Sequence, residues 1–237
     1  MREVEEETGM RCSATARLGT IGFETPNRNS KVVRYWLLRV ESGSFAPNKE
    51  VDAIKWATEG EAHAMLSYDR DREVLAWASR LAADPTAGMI YLVRHAHAGD
   101  RKRWKNADEL RPISLDGEKQ ADALRDYLSR FPLTGLLSSS SVRCVQTMGP
   151  LAGAHGLKLE VEPTIAESAP PEEFVAAIGR WAGQSIAMAS HGELIAATIR
   201  ALALEGIPLD GPIQSDKGAI WILETSEGTV RSGRYLN

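Results

Sequence analysis

The run Met89-Ile-Tyr-Leu-Val93 breaks off at Arg94-His95, and it limits the fold more than any other stretch. A short apolar run bounded by polar residues reads as a buried strand. In a parallel sheet, ligands bind at the carboxyl ends of the strands. The last residues of this strand therefore bring a guanidinium and an imidazole to a site. The pattern recurs three times. Leu136-Leu137 runs into Ser138-Ser-Ser-Ser-Val-Arg143, Ser185–Ser190 runs into His191-Gly192, and Leu159-Glu-Val161 leads to Glu167. Helix-like segments separate most of these runs. Right-handed crossovers in an α/β sheet would bring Arg94, His95, Arg143, His191 and Glu167 to one edge.

The surrounding pattern fits this layout. Ser114 is an N-cap for a helix over 118–130, with Ala121, Leu124 and Leu128 at helical spacing and Gly117 in the first turn. Further helices are expected over 142–155, 171–181 and 193–204. A hairpin turning at Glu227-Gly228 closes the chain. Alternating strands and helices predict a three-layer α/β/α sandwich over 88–237.

Residues 1–84 read differently. Arg2–Thr8 is a charged helix stopped by Gly9. Glu3, Glu6 and Glu7 stand at i, i+3 and i+4, so their carboxylates share one face. Such a face is either a solvated helix end or a hard-oxygen site for Mg²⁺ or Mn²⁺. Strands are expected over 13–23 and 31–40, a strand and helix over 51–62, and a helix over 67–83. The breakers Pro85 and Gly88 mark a short linker, so the two parts are expected to pack together.

The chain has 237 residues and a net charge of −4, with 43% hydrophobic and 25% charged residues. That is an ordinary soluble composition, with no global attraction to nucleic acid or to an anionic membrane. Two distant cysteines, Cys12 and Cys144, suit a reducing, cytoplasmic setting.

The letters carry two resemblances. Leu92-Val-Arg-His-Ala96, Ser139-Ser-Ser-Val-Arg-Cys-Val-Gln-Thr147 and Ala189-Ser-His-Gly192, in that order, resemble the motifs of the histidine phosphatase superfamily. Arg111-Pro-Ile-Ser114 is similar to a loop of its short SixA-like branch. Arg2-Glu-Val-Glu-Glu-Glu-Thr-Gly-Met10 resembles the second half of the Nudix (MutT-like) signature. The first resemblance implies a metal-independent phosphatase with His95 as nucleophile. Arg94, Arg143 and His191 would hold the phosphoryl group, and Glu167, in Ile165-Ala-Glu167, would be the acid, with neighbouring Glu172 and Glu173 as the alternatives. Arg103, Trp104 and Arg111 are the candidate substrate contacts outside that centre.

The second resemblance implies that Glu3, Glu6 and Glu7 bind Mg²⁺ or Mn²⁺. The glycine and first glutamate of that signature would lie ahead of Arg2. The first segment is therefore expected to be an incomplete Nudix α+β fold that does not hydrolyse nucleoside triphosphates by itself. A chain starting further upstream would instead make it an Mg²⁺-dependent pyrophosphohydrolase. Joined, the two resemblances imply small phosphorylated substrates, nucleotides above all, in the sanitation of oxidised guanine nucleotides or dinucleoside polyphosphates. Two other readings stand beside this one. His95, His97 and His191, with Asp100, could be metal ligands, since His-x-His is a ligand spacing. The chain could also be a non-catalytic module that captures phospho-ligands.

Overall fold

The computed structural model describes residues 2–237 except Pro26, Arg28 and Ala182. Helix α1, Arg2–Thr8, ends at Gly9, whose φ of +69° lets the chain turn into the next strand. Strands β1, Met10–Glu24, and β2, Ser30–Gly43, pair antiparallel as a two-stranded sheet. Helix α2, Glu59–Met65, opens with a capping box between Thr58 and Glu61. Residues 51–56 are irregular and mostly exposed, so the strand expected there does not form. An apolar-polar alternation makes a strand only where a neighbouring edge accepts its hydrogen bonds, and none runs beside it. Helix α3, Asp69–Ala83, starts two residues later than expected. It buries Val74, Trp77 and Leu81, spaced along one stripe.

The second part holds a seven-stranded sheet. Its strands are β3 (Gly88–Arg94), β4 (Gly135–Ser138), β5 (Leu159–Val161), β6 (Ser185–Ser190), β7 (Leu209–Asp210), β8 (Ile220–Ser226) and β9 (Thr229–Leu236), in the spatial order β5-β4-β6-β3-β8-β9-β7. The first four strands in that row are parallel, but β8 runs antiparallel to β3 and β9 antiparallel to β8. The sheet is thus mixed rather than parallel throughout, and the Glu227-Gly228 turn, with φ of 52° and 75°, returns the chain directly from β8 to β9.

Side chains of the central strand alternate between two cores. Tyr91 and Val93 pack under helices α4 (Leu115–Leu128) and α5 (Val142–His155), against Leu124, Leu128, Met148 and Leu151. Ile90 and Leu92 pack on the other face under α6 (Pro171–Arg180) and α7 (Gly192–Leu204), against Phe174, Ile178, Ile195 and Ile199. This is the expected three-layer α/β/α sandwich.

The first segment is docked on the second. Leu18 and Ile21 of β1 pack with Trp77, Leu81 and Ala87. Thr20 bridges to Leu133, and the Thr20 carbonyl accepts a 2.8 Å hydrogen bond from buried His155 Nδ1. Gly22 lies so close to the Ala154 carbonyl that a side chain there would collide with it. Among the described residues, no helix is long and apolar enough to cross a membrane.

Candidate active site

Strand register builds the site. Arg94 pairs with Ser190 across β3 and β6, and Ser138 pairs with Ala189 across β4 and β6. His95, His191 and Ser139 therefore leave the sheet side by side, one residue past the end of each strand. The His95 and His191 ring centroids are 5.5 Å apart, and the two side chains are buried. Arg143 enters from the first turn of α5 and is 1% exposed.

Arg143 joins the set. Its Nε lies 3.3 Å from His95 Nε2, and its Nη2 lies 3.2 Å from His191 Nδ1 and 2.7 Å from Glu167 Oε2. Nη1 donates to the Asp108 carbonyl at 2.7 Å. A guanidinium only donates, so both facing imidazole nitrogens must accept. His95 then carries its proton on Nδ1, which donates to the Ala96 carbonyl at 2.8 Å. His191 carries its proton on Nε2, 3.0 Å from Ser139 Oγ. Burial depresses the pKa of His95 to about 3, and the charge of Arg143 adds to this while the Ala96 hydrogen bond opposes it. Burial, then Arg143, lowers His191 to about 4. Both rings are neutral at pH 7. His95 Nε2 offers its lone pair into the centre of the cluster.

Arg94 completes the ring from below. Its Nη1 donates to the Ser215 carbonyl. Gly192 lies flat against its guanidinium, where a Cβ would stand 2.6 Å from Cζ. The five residues expected to converge, Arg94, His95, Arg143, His191 and Glu167, do converge.

Other expectations fare differently. Arg111 is buried, with Nε on Asp108 Oδ1 at 2.9 Å and Nη1 on the Ala98 carbonyl at 2.8 Å. Arg103 is exposed and pairs with Asp100 at 3.6 Å, while Trp104 Nε1 donates to the Ala107 carbonyl at 2.9 Å. All three line one open groove of about 250 Å³. His97 does not join His95: its Nδ1 sits 2.7 Å from Ser114 Oγ.

Glu3, Glu6 and Glu7 are exposed on α1, and Glu6 lies 3.3 Å from Arg2. Among the described residues, no three His, Cys, Asp or Glu side chains converge where a cation could sit. The carboxylates as placed do not form the expected metal set, because a seven-residue exposed helix brings nothing to face them.

Asp108 is a site residue that the sequence reading missed. It arrives on a 3-10 turn, Asp108–Leu110, and its Oδ2 lies 3.2 Å from Arg143 Nη2 without aligned hydrogen-bond geometry. Its hydrogen bond from Arg111 holds the carboxyl below the usual range. An acidic residue in a polar loop carries no periodic signal. Thr147 was visible only as a letter of a motif. Its hydroxyl accepts from Ala96 N at 2.9 Å and donates to the Arg143 carbonyl at 2.6 Å, tying β3 to α5.

Two neutral imidazoles, a fully buried guanidinium and a partly buried one at the carboxyl edge of an α/β sandwich define a histidine phosphatase. The profile of the histidine phosphatase superfamily (branch 1) matches residues 90–170, and that of the NUDIX domain matches residues 1–78. The chain is 32% identical to the 8-oxo-(d)GTP phosphatase of Mycolicibacterium smegmatis over 241 aligned residues, spanning 100% of this chain and 74% of that one. It belongs to the same family, and in this chain a NUDIX domain and a histidine phosphatase domain are joined. It is a hydrolase acting on phosphorus-containing bonds. Solved structures show the same fold. A provisionally assigned phosphohistidine phosphatase SixA from Agrobacterium tumefaciens aligns with a TM-score of 0.50 at 21% identity, covering 65% of this chain and 97% of its own. YhfR of Bacillus stearothermophilus aligns at 0.50 and 17%, covering 61% and 95%.

Proposed function

We propose that the chain removes terminal phosphate from small phosphorylated compounds, nucleotides foremost, through a phosphohistidine on His95. The observation that carries this reading is the single guanidinium, Arg143, shared by His95 Nε2, His191 Nδ1 and Glu167. A tetrahedral dianion entering between them would replace the Glu167 carboxylate as the partner of Arg143. Phosphoryl transfer needs mainly positioning and charge stabilisation, and planar guanidiniums supply both.

In the first step His95 Nε2 attacks phosphorus, an N–P bond forms, and the P–O bond to the leaving group breaks. Glu167, carrying a proton, would give it to the leaving oxygen. In the second step water attacks phosphorus and yields its proton to Glu167. The N–P bond breaks, and inorganic phosphate leaves with His95 neutral again. No metal takes part in either step. The name of the mycobacterial relative supports oxidised guanine nucleotides as the substrate class.

The test is release of phosphate from nucleoside mono-, di- and triphosphates with and without EDTA, together with acid quenching of the enzyme. The expected result is EDTA-insensitive turnover and an acid-labile, alkali-stable phosphoenzyme that His95→Ala abolishes. Turnover lost in EDTA, or undiminished in His95→Ala, would overturn the proposal.

A further inference from the structure

The loop between β7 and β8 runs past the active site and is held from several sides. Gly218 N donates to the Arg94 carbonyl at 3.2 Å, Gln120 Nε2 donates to the Lys217 carbonyl at 3.2 Å, and Asp216 N donates to Tyr235 Oη at 2.9 Å. The Asp216 carboxylate is occupied by Tyr235 and by Asn237. Gln120 in turn accepts from His97 N at 2.7 Å, so the loop and the end of β3 share one scaffold. A loop fixed in this way is a built wall.

One group of the loop and one of the adjoining strand end are left without partners. Ser215 is 4% exposed, yet its hydroxyl has no hydrogen bond, and neither does Nε of Arg94, whose Nη1 sits on the Ser215 carbonyl. Buried polar atoms are nearly always paired, so these two are open to a ligand's oxygens. Lys217, half-buried, has no carboxylate within ion-pair distance among the described residues, and neither does Arg94. Burial, then the charges of Arg94 and Arg111, hold the Lys217 ammonium below the ordinary lysine range. Four cations, Arg94, Arg111, Arg143 and Lys217, face two carboxylates, Asp108 and Glu167, and the carboxylates touch only Arg111 and Arg143 of the four.

We infer that Ser215 and Lys217, beside Arg94 and Arg111, form a second anion subsite that holds the phosphoryl group next to the one transferred. The enzyme would then select substrates with a phosphoanhydride, such as nucleoside di- and triphosphates, over simple monoesters. Lys217 also forms one rim of an open groove of about 430 Å³ with Gln120, Tyr127 and Leu236. This deepens the phosphatase reading and rests on it.

The experiment compares kcat/KM for a nucleoside diphosphate with that for p-nitrophenyl phosphate in the full chain and in Lys217→Met, Lys217→Arg and Ser215→Ala. Inhibition constants for inorganic pyrophosphate and inorganic phosphate are measured beside them. The diphosphate-to-monoester ratio is expected to fall about tenfold in Lys217→Met, the loss of one charge-assisted contact. It should fall less in Ser215→Ala and recover largely in Lys217→Arg. Pyrophosphate inhibition should weaken relative to phosphate inhibition by a similar factor. A ratio within twofold of the parent in Lys217→Met, or equal losses on both substrates and both inhibitors, would overturn the subsite. A His95→Ala chain that still turns over either substrate would instead overturn the phosphatase reading beneath it.

Discussion

Arg143 Nε points at His95 Nε2 from 3.3 Å. Burial first, and then the charge of this permanent cation, keep the His95 ring unprotonated. In the proposed reaction Arg143 would also meet the transferred oxygens. Lysine cannot reproduce this, because a single ammonium does not reach the partners of Nε and Nη2 together. Arg143→Lys is expected to lower kcat/KM by about 10²–10³-fold, the cost of losing one preorganised donor at developing charge. Steady-state kinetics on any good substrate checks it. A loss under fivefold would show that Arg143 is a fold-stabilising residue only.

Glu167 Oε2 sits 2.7 Å from Arg143 Nη2 and 3.6 Å from His191 Nδ1, and its side chain is 43% exposed. That exposure lets it swing towards a leaving group. Glu167→Gln should slow hydrolysis of alkyl phosphates by about 10²-fold or more, the usual contribution of a positioned acid. Hydrolysis of p-nitrophenyl phosphate, whose leaving group needs no proton, should slow only a few-fold. Equal losses on both substrates would assign the acid elsewhere.

Gly192 is required by contact rather than by backbone freedom, since an added Cβ would meet Arg94 Cζ at 2.6 Å. The guanidinium must then shift. Displacing a catalytic group by about 1 Å costs on the order of 10²-fold. Gly192→Ala should lose about that much in kcat/KM while circular dichroism stays unchanged. Full activity would mean that Arg94 can move without consequence.

Three histidines have folded pKa values below their unfolded ones. His95 is near 3 and His191 near 4, and burial also lowers His155. For a depressed group, the unfolded state binds the proton first, so stability is complete above the unfolded value of about 6.5 and declines as pH falls towards the folded values. The melting temperature should be level above neutrality and drop by several degrees between pH 6.5 and pH 4.5. His155→Phe should flatten part of that slope, despite being less stable throughout for want of the hydrogen bond to Thr20. Long-range ¹H–¹⁵N spectra should show His95 protonated on Nδ1 and His191 on Nε2 from pH 8 down to pH 5. A titration of either ring near 6.5 would contradict the geometry.

The reach of the sequence can be judged residue by residue. It contained the strand ends at Arg94-His95 and Ser190-His191, the cap at Ser114, the turn at Glu227-Gly228, and the stripe of α4. Each depends on neighbours a few positions away, so local spacing specifies it. It also foretold that Arg94, His95, Arg143, His191 and Glu167 would meet, because strand ends in an α/β sheet share an edge. Only the tertiary structure decided which imidazole nitrogens face Arg143, that Asp108 closes the cluster, that Ser215 and Lys217 line its wall, and that His97 turns away to Ser114. It also decided that residues 51–56 stay irregular and that Glu3, Glu6 and Glu7 gather no metal set. These outcomes depend on register, burial and partners far along the chain, which no local pattern encodes.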